Sequence, residues 1–236
     1  MYKKVILKLS GEALQDDYNG LILSGHKLKE IGNLIKELVS NGVNVGVVTG
    51  AGNIFRGRIA KDAGLDVEDG DYMGMTGTII NCKAISSVLN KLGVKNVLFS
   101  ALALEDVAIK YDANKARKYL KQGYVCLFAG GIGKPHYTTD TCAATRAIEI
   151  EADAILAGKN GVDGVYTADP NKDKNAKFIK NTTYQEVLDM DLKVMDRSAI
   201  ELLKNTNIVT RVFSMENIDN FIKVSLGDDM GTTIKE

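Results

Sequence analysis

The chain has 236 residues, three cysteines, and 30 basic against 30 acidic side chains, so its formal net charge is zero. This length allows one large α/β domain or two small ones, and the even charge gives no basic field for nucleic acid or anionic membrane. The scattered cysteines exclude a disulfide framework, and the apolar runs are too short for a secretory signal or a membrane span, so we expect a soluble cytoplasmic protein.

Short apolar runs rich in β-branched residues alternate with longer amphipathic stretches, and these predict strands and helices respectively. In chain order the predicted elements are strand 5–9, a helix through 28–39, strand 43–49, helix 73–92, strand 94–99, helix 112–121, strand 124–129, helix 139–151, strand 154–157, helix 194–205, strand 209–213, helix 218–226 and strand 232–234. Residues 163–183 are polar with Pro170 among them, which predicts a long irregular excursion of a kind that is often functional.

Near-continuous β-branched strands between helices indicate a parallel sheet covered on both faces. No linker, low-complexity stretch or repeat divides the sequence. The predicted fold is therefore α/β, a three-layer αβα sandwich around a mainly parallel sheet. We expect residues 1–236 to form a single domain with two lobes that share one continuous sheet.

Three glycine-rich turns follow three of the predicted strands. They read Lys8-Leu9-Ser10-Gly11, Gly50-Ala51-Gly52-Asn53 and Gly130-Gly131-Ile132-Gly133. Glycine lets a backbone approach a ligand closely and direct its N–H groups toward it, which is how proteins hold phosphate. Because ligands bind at the carboxyl ends of parallel strands, three such turns predict a site for more than one phosphorylated group.

Two common phosphate motifs do not match these turns. A P-loop needs a glycine five residues before Gly-Lys and a Ser or Thr after it, but Phe128 and Pro135 stand there. The dinucleotide fingerprint fails at its third glycine, where Phe55 stands, although Asp71 follows at the expected distance.

Two cations stand beside the first two turns. Lys8 interrupts an apolar strand, where a buried ammonium needs a partner; a lysine above a phosphate and an edge-strand lysine facing solvent both fit. Arg56 is expected in the first turns of a helix capped by Asn53, where it suits bidentate phosphate contact, with a solvated arginine as the alternative.

The remaining polar motifs have two interpretations each. Residues 138–141 open a helix and suit a phosphate or a plain N-cap. Tyr166 suits stacking on a base and Asp169 suits a ribose, but a turn with an aromatic plug fits equally well. His26 and His136 lack a nucleophile partner and are expected at the surface, so the sequence offers no histidine as a general base.

Seven segments, in this order, resemble bacterial uridylate (UMP) kinases of the amino-acid-kinase superfamily. They are residues 8–14, 50–57, 71–75, 135–140, 162–170, 192–196 and 231–234. The resemblance covers essentially the whole chain. The Asn-x-Phe-Arg-Gly element at 53–57 and the Thr-Thr-Asp element at 138–140 separate this group from acetylglutamate and aspartate kinases.

The resemblance implies transfer of the γ-phosphoryl group of Mg²⁺-bound ATP to UMP, giving UDP and ADP in pyrimidine nucleotide (CTP) biosynthesis. It places UMP on a lobe of about residues 1–150 and ATP on a lobe of about residues 151–236. It also implies a cytoplasmic homohexamer with GTP and UTP as effectors, and no nucleic-acid or membrane partner. Residues 16–21 fall where some relatives tune the response to GTP.

By matching position, the resemblance assigns three sets of site residues. ATP is assigned to Lys8, Leu9, Ser10, Gly11, Gly52, Arg56, Asn160, Tyr166 and Asp169. UMP is assigned to Ala51, Asp71, Ile132, Gly133, Lys134, Pro135, His136, Tyr137, Thr138 and Thr139. Catalysis is assigned to Lys8, Arg56 and Asp140, within a polar network that includes Lys159, Asp163 and Asp196. Magnesium is expected to bind through the ATP phosphates rather than through protein side chains.

Two departures from the family pattern concern the acceptor. Ala51 stands where the family more often has glycine, which is tolerable where φ stays negative. Residues 134–137 read Lys-Pro-His-Tyr instead of Asn-Pro-aromatic-aromatic. If backbone groups recognise uracil, this change leaves the selectivity for uracil intact. If the family's asparagine side chain recognises the base, the change alters that selectivity.

Two alternatives stay open. One is another small-molecule kinase of the superfamily, acting on acetylglutamate or carbamate. The other is a non-enzymatic nucleotide- or oxyanion-binding protein of the same fold, similar to molybdenum storage proteins.

Overall fold

The structure is a computed structural model that describes residues 1–16 and 18–236. Asp17, inside the 16–21 segment associated with effector response, lies outside the described residues. The strands are β1 (Lys4–Leu9), β2 (Asn44–Thr49), β3 (Asn96–Ser100), β4 (Ile109–Lys110), β5 (Val125–Ala129), β6 (Ala154–Lys159), β7 (Val165–Tyr166), β8 (Phe178–Ile179), β9 (Asn181–Thr182), β10 (Val209–Ser214) and β11 (Thr232–Ile234). The helices are α1 (Gly25–Ser40), α2 (Gly57–Asp62), α3 (Val67–Lys91), α4 (Ala113–Lys121), α5 (Thr139–Glu149), α6 (Tyr184–Asp189), α7 (Arg197–Leu203) and α8 (Asn220–Leu226), with a 3-10 turn at Gly11–Leu14.

The described strands form one long sheet in the order β4-β3-β5-β2-β1-β6-β10-β11-β9. Every neighbouring pair in it is parallel except β10 with β11. The short strands β7 and β8 pair antiparallel outside this sheet. The mainly parallel sheet predicted from the sequence is confirmed.

Helices cover both faces of the sheet, so neighbouring residues of β1 enter different apolar cores. Ile6 belongs to the core that includes residues of α4, α5, α6 and α7. Val5 and Leu7 belong to the core that includes residues of α1, α3 and α8. A strand buried on both faces carries apolar residues continuously, which explains the unbroken β-branched runs. The three-layer αβα prediction is confirmed.

The order in which the chain adds strands to the sheet switches from one side to the other at β1. Leu7 lies opposite Val47 of β2 on one side and Leu156 of β6 on the other. The chain places β2 to β5 on the first side and β6, β9, β10 and β11 on the second. A reversal of this kind leaves a crevice beyond the carboxyl ends of the strands. Lys8 therefore lies on a central strand, and the alternative of an edge-strand lysine is wrong.

Several predicted boundaries differ from the structure. Helix α3 begins at Val67 rather than at residue 73, after Asp66 in extended conformation. The segment 163–183, predicted as irregular, contains β7, β8 and β9. Helix α6 was not predicted from the sequence, although Thr183 and Glu186 form a capping box at its start. That reciprocal pair satisfies two backbone N–H groups and is a recognisable helix-start signal.

The three cysteines are free and buried. Burial raises the pKa of the Cys82 and Cys126 thiols to about 12 and that of Cys142 to about 11. All three are therefore protonated at neutral pH. None of the described helices has both the length and the apolar character needed to cross a membrane.

A pair of buried asparagines fixes the second glycine turn to α3. The side-chain amides of Asn53 and Asn81 exchange hydrogen bonds of 2.9 and 3.0 Å. Asn81 also donates to the Gly50 carbonyl at 2.8 Å, and Asn53 donates to the Ile22 carbonyl at 2.7 Å. The turn is thus held by side-chain bonds in addition to its own backbone.

We expect Asn81→Ala to lower the free energy of unfolding by about 1–3 kcal/mol, because it leaves the buried Asn53 amide and the Gly50 carbonyl without their partner. Urea unfolding followed by circular dichroism measures this. Asn33→Ala, an exposed asparagine of α1, is the matched control and should change stability by less than about 0.5 kcal/mol. Equal small effects in both variants would contradict the role of the amide pair.

Candidate active site

The first and second glycine turns lie in direct contact. The Gly50 N–H donates to the Leu9 carbonyl at 2.9 Å. A Cβ at Gly11 would lie 2.7 Å from the Gly52 nitrogen and 2.9 Å from the Gly50 oxygen, so any side chain there would push the turns apart. A Cβ at Gly50 would lie 3.4 Å from the Thr139 hydroxyl oxygen, which brings the start of α5 to the same place.

Lys8 is paired with a carboxylate inside this crevice. Its Nζ lies 2.6 Å from Asp140 Oδ1, and the two side chains are only 16% and 18% exposed. A lysine so far from solvent needs such a partner, as the sequence analysis anticipated. Asp140 stands in the first turn of α5, so the ion pair links β1 to that helix.

Asp196 ties α5 to α7. Its carboxylate accepts hydrogen bonds from the hydroxyls of Thr138 and Thr141 and caps α7 by accepting from the Ala199 N–H at 2.9 Å. Its own N–H donates to Asp140 Oδ2 at 3.3 Å. Asp196 is thus the N-cap of α7, and its carboxylate also belongs to the polar network around Lys8.

Arg56 does not lie inside a helix capped by Asn53; that prediction is wrong. Helix α2 begins at Gly57, immediately after Arg56, and the Asn53 side chain is occupied by the amide pair. Arg56 Nη2 lies 2.5 Å from Glu12 Oε1, and its Nε donates to the Gly52 carbonyl at 3.0 Å. More than half of this side chain is exposed, so it bridges the first two turns at the mouth of the crevice.

A cavity of about 330 Å³ opens on the β2 and β5 side of Lys8. Predicted site residues in its wall are Ala51, Gly52, Asp71, Tyr137, Thr138 and Thr139. Gly131 of the third glycine turn also lines it, together with residues that were not assigned to the site from the sequence, among them Phe55, Gly74, Met75, Thr78 and Cys142. Residues 132–136 do not line it, although they were assigned to the acceptor. Ala51 keeps a backbone outside the left-handed region, so its methyl group causes no strain.

Asp71 is held from the opposite wall by the segment before α5. The His136 N–H donates to Asp71 Oδ2 at 2.7 Å, with His136 in the left-handed backbone region at φ 67°. The imidazole lies 3.6 Å from Glu68 and 3.9 Å from Asp71. His136 is exposed, as expected, but its backbone orients a carboxylate of the cavity.

A second cavity, of about 460 Å³, opens on the β6 side of Lys8. Its wall includes Lys159, Tyr166 and Asp169. The Tyr166 hydroxyl donates to Asp163 Oδ1 at 2.7 Å, and this bond raises the pKa of Tyr166. Its ring packs edge-on against Phe178 at 5.5 Å, so Tyr166 is also the aromatic plug of the alternative interpretation.

Asn160 is not brought into this second cavity. It lines a separate cavity of about 420 Å³ together with Leu9 and Glu12. Lys159, its neighbour in sequence, points the other way and donates to the Val194 carbonyl at 2.9 Å. Burial lowers the pKa of Lys159, nearby Lys8 lowers it further, and Asp140 opposes both.

The chain is similar to known proteins over nearly its whole length. The model of the amino acid kinase family matches residues 3–214. Over 236 residues the chain is 43% identical to a uridylate kinase of Mycoplasma capricolum subsp. capricolum, covering 100% of this chain and 98% of that protein. It is 45% identical to a uridylate kinase of Psychromonas ingrahamii over 99% of this chain and 93% of that one.

A solved structure of UMP kinase from Bacillus anthracis superposes with a TM-score of 0.95 at 37% identity. The match covers 99% of this chain and 96% of that one. The chain therefore belongs to the amino acid kinase family, and its resemblance to the uridylate kinases of that family is confirmed.

Proposed function

We propose that this chain is a UMP kinase, which transfers the γ-phosphoryl group of ATP to UMP and releases UDP and ADP. The observation that carries the proposal is the position of Lys8. It lies where the sheet reverses direction, beside two glycine turns and with one cavity on each side. Two nucleotides entering those cavities would bring their phosphates together at this ammonium.

The acceptor fits the cavity on the β2 side, within a lobe of about residues 1–150. Asp71 would bind the ribose through its carboxylate, which the His136 N–H already orients. The hydroxyls of Thr138 and Thr139 and the backbone of Ala51 and Gly52 would approach its phosphate. Ile132, Gly133, Lys134 and Pro135 would contribute only if the segment before α5 moves inward.

The donor fits the cavity on the β6 side, within a lobe of about residues 151–236. Tyr166 and Asp169 would contact its adenosine, and Lys159 would lie near its phosphates. Leu9, Ser10 and Gly11 would present their backbone to the phosphates across the crevice. Asn160 would reach ATP from the neighbouring cavity.

The chemistry needs charge neutralisation more than proton transfer. The second pKa of a phosphomonoester is about 6, so UMP is mostly a dianion at neutral pH and attacks without a general base. Lys8 would stabilise the charge on the transferring oxygens, and Asp140 would hold that ammonium in place. Arg56 would leave Glu12 and bind phosphate at the mouth of the crevice.

Magnesium would enter with ATP. Among the described residues, no group of three or more His, Cys, Asp or Glu side chains is arranged to hold a metal. The carboxylates of Asp140 and Asp196 already accept bonds from Lys8 and the threonines of α5. We propose that the ion is held by the ATP phosphates, where it would supply charge neutralisation for the phosphoryl group.

Assembly and regulation follow the same proposal. Val67, Met73 and Ile80 are exposed apolar side chains along α3, which supports self-association through this helix, as in a homohexamer. The buried free thiols suit a reducing cytoplasm. We propose GTP and UTP as effectors and pyrimidine nucleotide (CTP) biosynthesis as the setting.

A coupled assay of ADP release tests the activity. UMP should stimulate ATP consumption strongly, whereas acetylglutamate and carbamate should not. Release of ADP with one of those acceptors instead of UMP would favour another kinase of the family. ATP binding without any acceptor-dependent turnover would favour a non-enzymatic binder.

Lys8→Met should reduce kcat by roughly 100- to 1000-fold, because it removes a cation that stabilises the transferring phosphoryl group, while the KM for UMP changes little. Steady-state kinetics measure both. Lys4→Met, on the same strand but bonded to the Ile150 carbonyl, is the matched control and should keep wild-type turnover. Activity above about a tenth of wild type in a folded Lys8→Met variant would remove Lys8 from this role.

Asp71→Asn should raise the KM for UMP by roughly tenfold with a smaller effect on kcat, because it weakens a charge-assisted hydrogen bond to the acceptor ribose. Asp69→Asn, on an exposed position of the same helix, serves as the control. An unchanged KM for UMP in the Asp71 variant would place the ribose elsewhere.

Proton uptake should accompany ATP binding at alkaline pH. Because the pKa of Lys159 is lowered, this ammonium destabilises the fold where it is charged, and that penalty fades as pH rises through the lowered pKa toward the ordinary value. Bound phosphates favour the charged form, so ATP binding at a pH between the lowered pKa of Lys159 and its ordinary value should take up protons.

Calorimetric titrations in two buffers of different ionisation enthalpy measure this uptake. Lys159→Gln should abolish it. Lys193→Gln changes an exposed lysine of the same cavity and should leave it intact. Identical uptake in all three proteins would assign the proton to another group.

A further inference from the structure

Arg146 is a buried arginine beneath the third glycine turn, and no role was assigned to it from the sequence. It stands on α5 and is 4% exposed. Its Nη1 lies 2.6 Å from Glu149 Oε2, and its Nη2 donates to the Gly131 carbonyl at 3.0 Å. Its guanidinium lies over the Tyr111 ring, 3.6 Å from the centroid.

Tyr111 completes this group, which we call the Arg146 cluster: Arg146, Glu149 and Tyr111. The Tyr111 hydroxyl donates to the same Glu149 oxygen at 2.6 Å. Burial raises the pKa of Tyr111, so the phenol stays protonated and remains a donor. Each member is therefore fixed by the other two.

The turn above the cluster is held at two further points. The Gly130 N–H donates to the Thr78 hydroxyl at 2.9 Å, and the Gly133 N–H donates to the Gly130 carbonyl at 3.0 Å. Gly130, Gly131 and Gly133 all have left-handed φ values, between 57° and 80°. Within the described part of the chain, the N–H groups of Gly131 and Ile132 make no hydrogen bond, so they are available to a ligand.

Burial of Arg146 is costly for a purely structural contact. A buried ion pair is often no more stabilising than apolar side chains of the same volume. The Nε of Arg146 has no partner among the described residues, which adds to the cost. What the guanidinium provides is geometry, because its planar fork bonds Glu149 and Gly131 at once while its face packs on an aromatic ring.

We propose that Arg146 is a positioning residue that sets the selectivity for uracil. By bonding the Gly131 carbonyl it fixes Gly131, a residue of the acceptor cavity wall whose N–H makes no hydrogen bond within the described part of the chain. Uracil presents two ring carbonyls that accept from such N–H groups, whereas cytosine has an amino donor in place of one of them. A fixed backbone donor therefore accepts UMP and rejects CMP.

This inference rests on the proposed function, and its test compares UMP with CMP as acceptors. In Arg146→Lys the charge is kept but the fork is lost. We expect the ratio of kcat/KM for UMP over CMP to fall by about tenfold or more, with the KM for ATP changed by less than about twofold. A folded Arg146→Lys variant with the wild-type ratio would overturn the inference.

Arg117→Lys is the matched control. Arg117 donates to the Glu149 carbonyl at the end of the same helix and has no bond to the glycine turn. It should keep the wild-type ratio. An equal loss of selectivity in this control would show a general effect at this end of α5 and would also overturn the inference.

Tyr111→Phe keeps the test decisive if Arg146→Lys fails to fold. It removes only the hydroxyl bonded to Glu149 and retains the ring beneath the guanidinium, so the ratio should fall in the same direction, by roughly threefold. An unchanged ratio in a folded Tyr111→Phe variant would count against the cluster. Absence of UMP-dependent ADP release in the wild-type chain would instead reject the proposed function itself.

Discussion

The close approach of two backbone turns is the constraint on which the site depends. Gly11 can carry no side chain, because the turn after β2 occupies the space that a Cβ would need. Adjacent parallel strands bring those turns together, and the buried amides of Asn53 and Asn81 hold the second one down. The paired strands β1 and β2 therefore hold the two turns at a fixed separation, and phosphate-binding groups can lie on either side of these turns.

Charge is arranged around the same point. Two cations, Lys8 and Lys159, lie near the carboxylate of Asp140, and burial together with repulsion from Lys8 lowers the pKa of Lys159. Asp196 accepts hydrogen bonds from the threonines at the start of α5 and donates its N–H to Asp140. These bonds hold the helix that carries Asp140 in place beside Lys8.

Most of the fold could be predicted from the sequence, because unbroken β-branched runs occur where helices cover both faces of a parallel sheet. The position of Lys8 on an apolar strand also predicted that its ammonium needs a charged partner, but it did not identify Asp140 as that partner. The helix around Arg56 was misplaced because Asn53 looks like a cap locally, whereas its side chain is taken by Asn81 in a distant helix. Arg146 was missed for the same reason, since its contact with Gly131 exists only in three dimensions.

The buried thiols have a practical consequence for experiments on this molecule. Thiolate rather than thiol reacts with alkylating reagents, and burial keeps all three native cysteines protonated and covered. A single cysteine introduced on an exposed part of α3 or beside the acceptor cavity would react with maleimide dyes far faster than Cys82, Cys126 or Cys142. Fluorescent reporters of nucleotide-induced motion can therefore be attached without first replacing the natural cysteines.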